Sequence, residues 1–252
     1  MDTATIPNPS GPIVPWDHVI NRINALRRSL LWVVAALLLG TASGWSVADQ
    51  VFNFLAAPLT TALANAARDP RLAFTSLSDP FIIYFSVSML LGLLLALPVI
   101  MSLFWRVVAP LDLGRGAAKA AVFAFASSVL FLVGLAFGYW VLLPFVVRYL
   151  LRVAEEFRYA VTIREYLRFA LRMLIAMGIS AQLPLMSFVL ARFGLVTARR
   201  LLRWLPYAVL VAFVLAAVIT PPDGISQLLV AIPMLVLYLL GVVVAALATP
   251  RN

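Results

Sequence analysis

The sequence has no cysteine, a single histidine and few charges. Without cysteine there is neither a disulfide nor a thiolate metal site. His18 and ten scattered carboxylates give no donor set for a haem or a metal centre, so no cofactor is expected. Charged residues make up 12% of the chain and hydrophobic ones 64%, which leaves too little polar surface to coat a water-soluble globule of 252 residues. Strict alternation is missing too: the apolar residues come in long runs, which favours a helical bundle over a transmembrane barrel. The net charge of +9 is informative through its placement rather than its sum, and nucleic acid is not an expected partner.

What is present is membrane-spanning apolar sequence, with a mean hydropathy of +1.04. Residues 1–21 hold Pro7, Pro9, Pro12 and Pro15 and no apolar period, and are expected to be a mobile tail. The rest, 22–250, reads as one all-α membrane domain of six spans, at about 30–47, 81–105, 120–147, 169–190, 206–219 and 225–248. Arg27 and Arg28 ahead of the first run also outline a secretion signal, but that run is long enough to span and others follow it. Residues 49–80 are expected outside the membrane or along its surface. The fifth run, at about 1.5 Å per residue, reaches roughly 21 Å, well short of a hydrocarbon core of roughly 30 Å.

The stretch Thr220 to Met234 is a tight turn between two apolar runs. Pro221 and Pro222 stop the arriving helix, Gly224 lets the chain reverse, and Asp223 supplies a carboxylate where the next helix opens. Six spans put both termini on one side. That side carries eleven cations, Arg22, Arg27, Arg28, Arg106, Arg115, Lys119, Arg192, Arg199, Arg200, Arg203 and Arg251, and three carboxylates, Asp2, Asp17 and Asp112. The other side carries eight cations and seven carboxylates. The positive-inside rule therefore places the termini in the cytoplasm and the Thr220 turn outside.

In order along the chain come Ala57-Pro58-Leu59, Asp79-Pro80-Phe81, Leu97-Pro98, Trp105 with Ala109-Pro110, Phe137-Gly138-Tyr139, Pro144 and Tyr166. Gln182-Leu183-Pro184, Arg203 to Tyr207, Thr220-Pro221-Pro222-Asp223, Ser226-Gln227 and Ile232-Pro233-Met234 complete the series. With six spans and a short fifth, this pattern resembles the TatC family, the core membrane subunit of the twin-arginine protein translocase. The resemblance implies a concave, glove-like bundle without cofactor or covalent chemistry, in the bacterial or organellar inner membrane. It implies recognition of twin-arginine signals of folded precursors on the cytoplasmic side, recruitment of TatA- and TatB-type single-span partners into an oligomeric complex, and export driven by the proton-motive force. By position it assigns signal binding to Leu26, Arg27, Trp105, Pro110 and Asp112, and partner docking to Gln182, Pro184 and Tyr207. It assigns shaping of the outer face to Pro58, Asp79, Pro80 and Asp223.

Two positions depart from the family pattern. The Glu-Leu-Arg-x-Arg-Leu motif aligns with Ala25-Leu26-Arg27-Arg28-Ser29-Leu30, and the glutamate of the first cytoplasmic loop falls at about Gly116. Neither Ala25 nor Gly116 offers the bidentate, charge-assisted bonds that hold a guanidinium. Asp112 is the nearest stand-in, with Asp17 and His18 further off; a solvated loop acid is the plainer reading of Asp112. Gln182 occupies the place of an intramembrane glutamate, and it either docks a partner or bonds to carbonyls freed by Pro184. Arg172 is close enough to the outer end to snorkel. A paralogue that has lost signal recognition is the runner-up function. A small-solute transporter lacks support in midspan ionisable groups, and a haem- or quinone-binding subunit lacks it in intramembrane histidines.

Overall fold

A computed structural model describes residues 16–65, 76–108, 117–154, 162–220 and 223–248. The described residues are almost wholly helical: α1 Trp16–Trp45, α2 Ala48–Asn65, α3 Asp79–Val108, α4 Ala117–Phe137, a π-helical turn Gly138–Leu142, and α5 Leu143–Ala154. After these come α6 Ile163–Ser180, α7 Leu183–Arg192, α8 Ala198–Arg203, α9 Leu205–Ile219 and α10 Gly224–Ala248. Five spans are long and apolar enough to cross a bilayer, among them Ala121–Val153 through the π turn and Ile163–Arg192 through the α6–α7 break. Helix α9 is a shorter apolar sixth. Below, the side where α1 begins and α10 ends is the α8 face, and the opposite side is the α2 face.

Each apolar run expected from the sequence is helical, five within stretches long enough to span and the sixth in the shorter α9, and three boundaries differ for local reasons. Helix α1 begins at Trp16, inside the expected tail, because the turn bearing Arg22 and Arg27 continues the helix of the first span. The third span is wound as a π turn over Gly138–Leu142, which shifts the register of the side chains after it. The fourth is two helices. Pro184 has no amide to give the carbonyl four residues back, so α6 stops at Ser180 and α7 starts at Leu183.

Helix α2, in the segment expected at the surface, is half core: Leu55, Ala56, Leu59, Ala62 and Leu63 are buried. They join Val87 of α3, Leu143 and Val146 of α5, Leu174 and Met177 of α6, and Val230 of α10 in the main core. Small residues let the spans approach. A Cβ on Gly134 of α4 would stand 2.5 Å from the Met177 carbonyl oxygen of α6, so these two backbones touch. Helix α1 is different: its main contact is with α3 alone, and Leu30, Leu31, Trp32, Leu38 and Leu39 remain exposed.

Candidate functional site

Toward the α8 face, two predicted residues of different roles are brought to one place. Trp105, near the end of α3, is 1% exposed and donates its indole N–H to the Ser127 hydroxyl of α4 at 2.6 Å. Gln182, at the α6–α7 break, donates its amide to the Ser127 carbonyl at 2.9 Å. Buried Trp105, Ala124 and Val189 close the space between α3, α4 and α7, and half-buried Leu185, next to Pro184, packs on them. The half-buried Gln182 amide therefore crosses to another span and gains one partner there. Arg27 is exposed on α1. Leu26 lies in α1 with its side chain outside the described set, and Pro110 and Asp112 lie outside the described residues altogether.

The α6–α7 break also opens an apolar groove of about 490 Å³. Ile179, Ser180 and Leu183 form one wall, Tyr207 and Val211 of α9 another, and Met234 of α10 the floor. Tyr207 is 68% exposed on its rim. Gln182 does not line this groove, since its side chain points the other way, toward α4. The structure thus divides the predicted docking set into an exposed member, Tyr207, and an internal one, Gln182.

At the α2 face each predicted residue has a definable task. Pro58 sits within α2 and gives the Phe54 carbonyl no amide. The Tyr139 hydroxyl, aimed by the π turn, donates to that carbonyl at 2.6 Å while its ring stacks on Phe54 at 4.2 Å. One residue on, the Tyr166 hydroxyl donates to the Leu55 carbonyl at 2.8 Å. Tyrosines from two spans thus insert into the helical ladder that the proline interrupts.

Asp79 is wholly buried at the start of α3, where Pro80 is tolerated in the first turn. Its Oδ1 accepts from Arg164 Nη1 at 3.1 Å and its Oδ2 from the Ser76 amide at 2.9 Å. Asp223 opens α10: it accepts from the Ser226 amide at 2.8 Å and from the Ser226 hydroxyl, and Tyr149 of α5 lies near it. Such an N-terminal carboxylate satisfies amides the helix leaves open. Gln227 ties α10 to the Phe213 carbonyl of α9 at 2.8 Å. Sequence reasoning missed Ser127, Tyr149 and the task of Arg164. A serine within an apolar helix and an arginine in a basic loop carry no signal of their partners; only the fold supplies it.

The sequence model of the family described as Sec-independent protein translocase protein (TatC) matches residues 21–233. This chain belongs to the TatC family. A TatC of Koribacter versatilis is 32% identical over 234 residues, covering 92% of this chain and 86% of the relative. TatCy of Bacillus subtilis is 30% identical, with 91% and 89% covered. A crystal structure of TatC, described as the twin arginine translocase receptor, superposes with a TM-score of 0.80 at 30% identity over 90% of this chain and 99% of that one. The TatC fold is a six-span membrane bundle, and the function of this TatC-family chain is Sec-independent protein translocation.

Proposed function

We propose that the chain works as the precursor-binding subunit of a twin-arginine translocase in an inner membrane, with both termini cytoplasmic, and that it acts by binding rather than by covalent chemistry. The observation that carries this reading is the lateral groove between the α6–α7 break and α9, with Tyr207 exposed on its rim. A bundle that leaves such an apolar wall open is built to receive another helix, read as an apolar face laid into a groove. TatA- and TatB-type single-span proteins are the partners the family membership supports. Gln182 contributes from inside, by holding α4 to the break that shapes the groove.

Signal recognition is proposed on contacts other than the two glutamates of the family pattern, with Asp112 beside Leu26, Arg27, Trp105 and Pro110. One specific observation favours the second reading, a paralogue without twin-arginine recognition. The carboxylates whose side chains are described, Asp49, Asp79, Glu165 and Asp223, all lie at the α2 face, while Arg27, Arg28, Arg106, Arg192, Arg199, Arg200 and Arg203 crowd the α8 face. The summed potential of such a face repels a cationic signal.

Photocrosslinking separates the two. Probes at Ala25 and Asp112 are challenged in membranes with a twin-arginine precursor and with the same precursor carrying two lysines. Crosslinks to the arginine form alone support recognition on new contacts. Equal or absent crosslinks replace it with the paralogue reading.

A further inference from the structure

We propose that the α8 end of the lateral groove is a binding site for an anionic phospholipid, its headgroup held by Arg199 and Arg203 and one acyl chain lying in the groove. The charge comes from a stretch without counter-ions: between Glu165 and Asp223 the sequence has no carboxylate, and Arg192, Arg199, Arg200 and Arg203 all fall at the α8 face. Arg199 and Arg203 are four residues apart on α8, hence on one side of it, and both are exposed. Arg200 is turned away to the Leu195 carbonyl at 3.2 Å.

The position of α8 relative to the groove is fixed. Tyr238, which lines the groove from α10, donates its hydroxyl to the Leu201 carbonyl of α8 at 2.7 Å. Trp204, directly after Arg203, forms the groove's end and is 47% exposed, the amphipathic placement that aromatic residues take at a membrane surface.

The length of α9 favours a lipid at the α8 end of the groove. Its 15 residues reach roughly 22 Å at 1.5 Å per residue, against a hydrocarbon core of roughly 30 Å. Lipids beside α9 must thin or lower their headgroups. Two guanidiniums at the end of the short helix hold a lowered phosphate by charge-assisted bonds, and the open groove gives the displaced chain an apolar wall.

The site shares the groove with the partner reading without resting on it, because it is tested on the full-length protein alone. Native mass spectrometry of the detergent-purified chain, titrated with phosphatidylglycerol or with phosphatidylcholine of the same chains, reads retained lipid. Preferential retention of phosphatidylglycerol is expected, falling roughly thirtyfold in Arg199→Gln/Arg203→Gln. Arg28→Gln/Arg106→Gln removes equal charge from the same face on helices that do not line the groove, and is expected to have little effect. Ala208→Phe fills the groove and is expected to lower retention with the arginines intact. Gel filtration verifies that each variant is folded. Equal retention of the two lipids, an equal fall in both arginine pairs, or no effect of filling the groove would each overturn the proposal.

Discussion

Trp105 and Gln182, 77 positions apart in the chain, bond to the same residue: one to the hydroxyl of Ser127, the other to its carbonyl. The end of α3 and the break between α6 and α7 are thereby pinned to one point on α4. In this TatC-family chain one residue proposed to meet the signal and one proposed to serve a partner are parts of one polar node.

The node makes the two residues energetically dependent. Trp105→Phe and Gln182→Leu each remove one bond at Ser127, and their stability effects are expected to be non-additive by about 0.5–3 kcal/mol. A double-mutant cycle on thermal unfolding in detergent measures this; additive values would mean the two bonds are independent.

At α2 the proline and the tyrosine are expected to compensate. Tyr139→Phe leaves the Phe54 carbonyl without its donor, at a cost of about 1–3 kcal/mol. Pro58→Ala returns a backbone amide to that carbonyl, so Tyr139→Phe should be milder in the Pro58→Ala background than alone. Thermal stability of the four proteins is the readout.

The Arg164–Asp79 pair predicts an asymmetry. Asp79→Asn keeps an acceptor for the Ser76 amide and removes a buried charge, whereas Arg164→Leu leaves the charge and takes away the guanidinium facing it. Arg164→Leu should be the worse variant, on the order of 3–5 kcal/mol for breaking a buried pair from one side, discounted because the arginine is 33% exposed. Yield of folded protein on gel filtration ranks the two.

Asp223→Ala removes a helix-opening carboxylate, worth about 1 kcal/mol. Export of a twin-arginine precursor is expected to fall while the protein still inserts into the membrane. Unchanged export would show that the shape of this face is not required.

The six spans were legible because apolar runs of that length have one physical use, and Pro184 marked where carbonyls are freed. What answers each proline was not legible. Nothing in the order of residues says that Tyr139 and Tyr166 meet α2, or that the Gln182 amide reaches α4 rather than a carbonyl of its own span. The π turn was likewise hidden, since Gly138–Leu142 reads as ordinary span and only its packing sets the winding. The depth of α2 in the core was missed for a related reason: a helix outside the bilayer that covers the ends of spans looks amphipathic, as a surface helix does.

Helix α1 has one main neighbour, α3, reached where Gly40 lies against Gly92. The first of the six spans to be made thus waits for its main neighbour until a span completed at Val108 arrives. At synthesis rates of roughly 5–20 residues per second that interval lasts some seconds. Over that interval α1 is without the helix that supplies its main contact in the finished bundle.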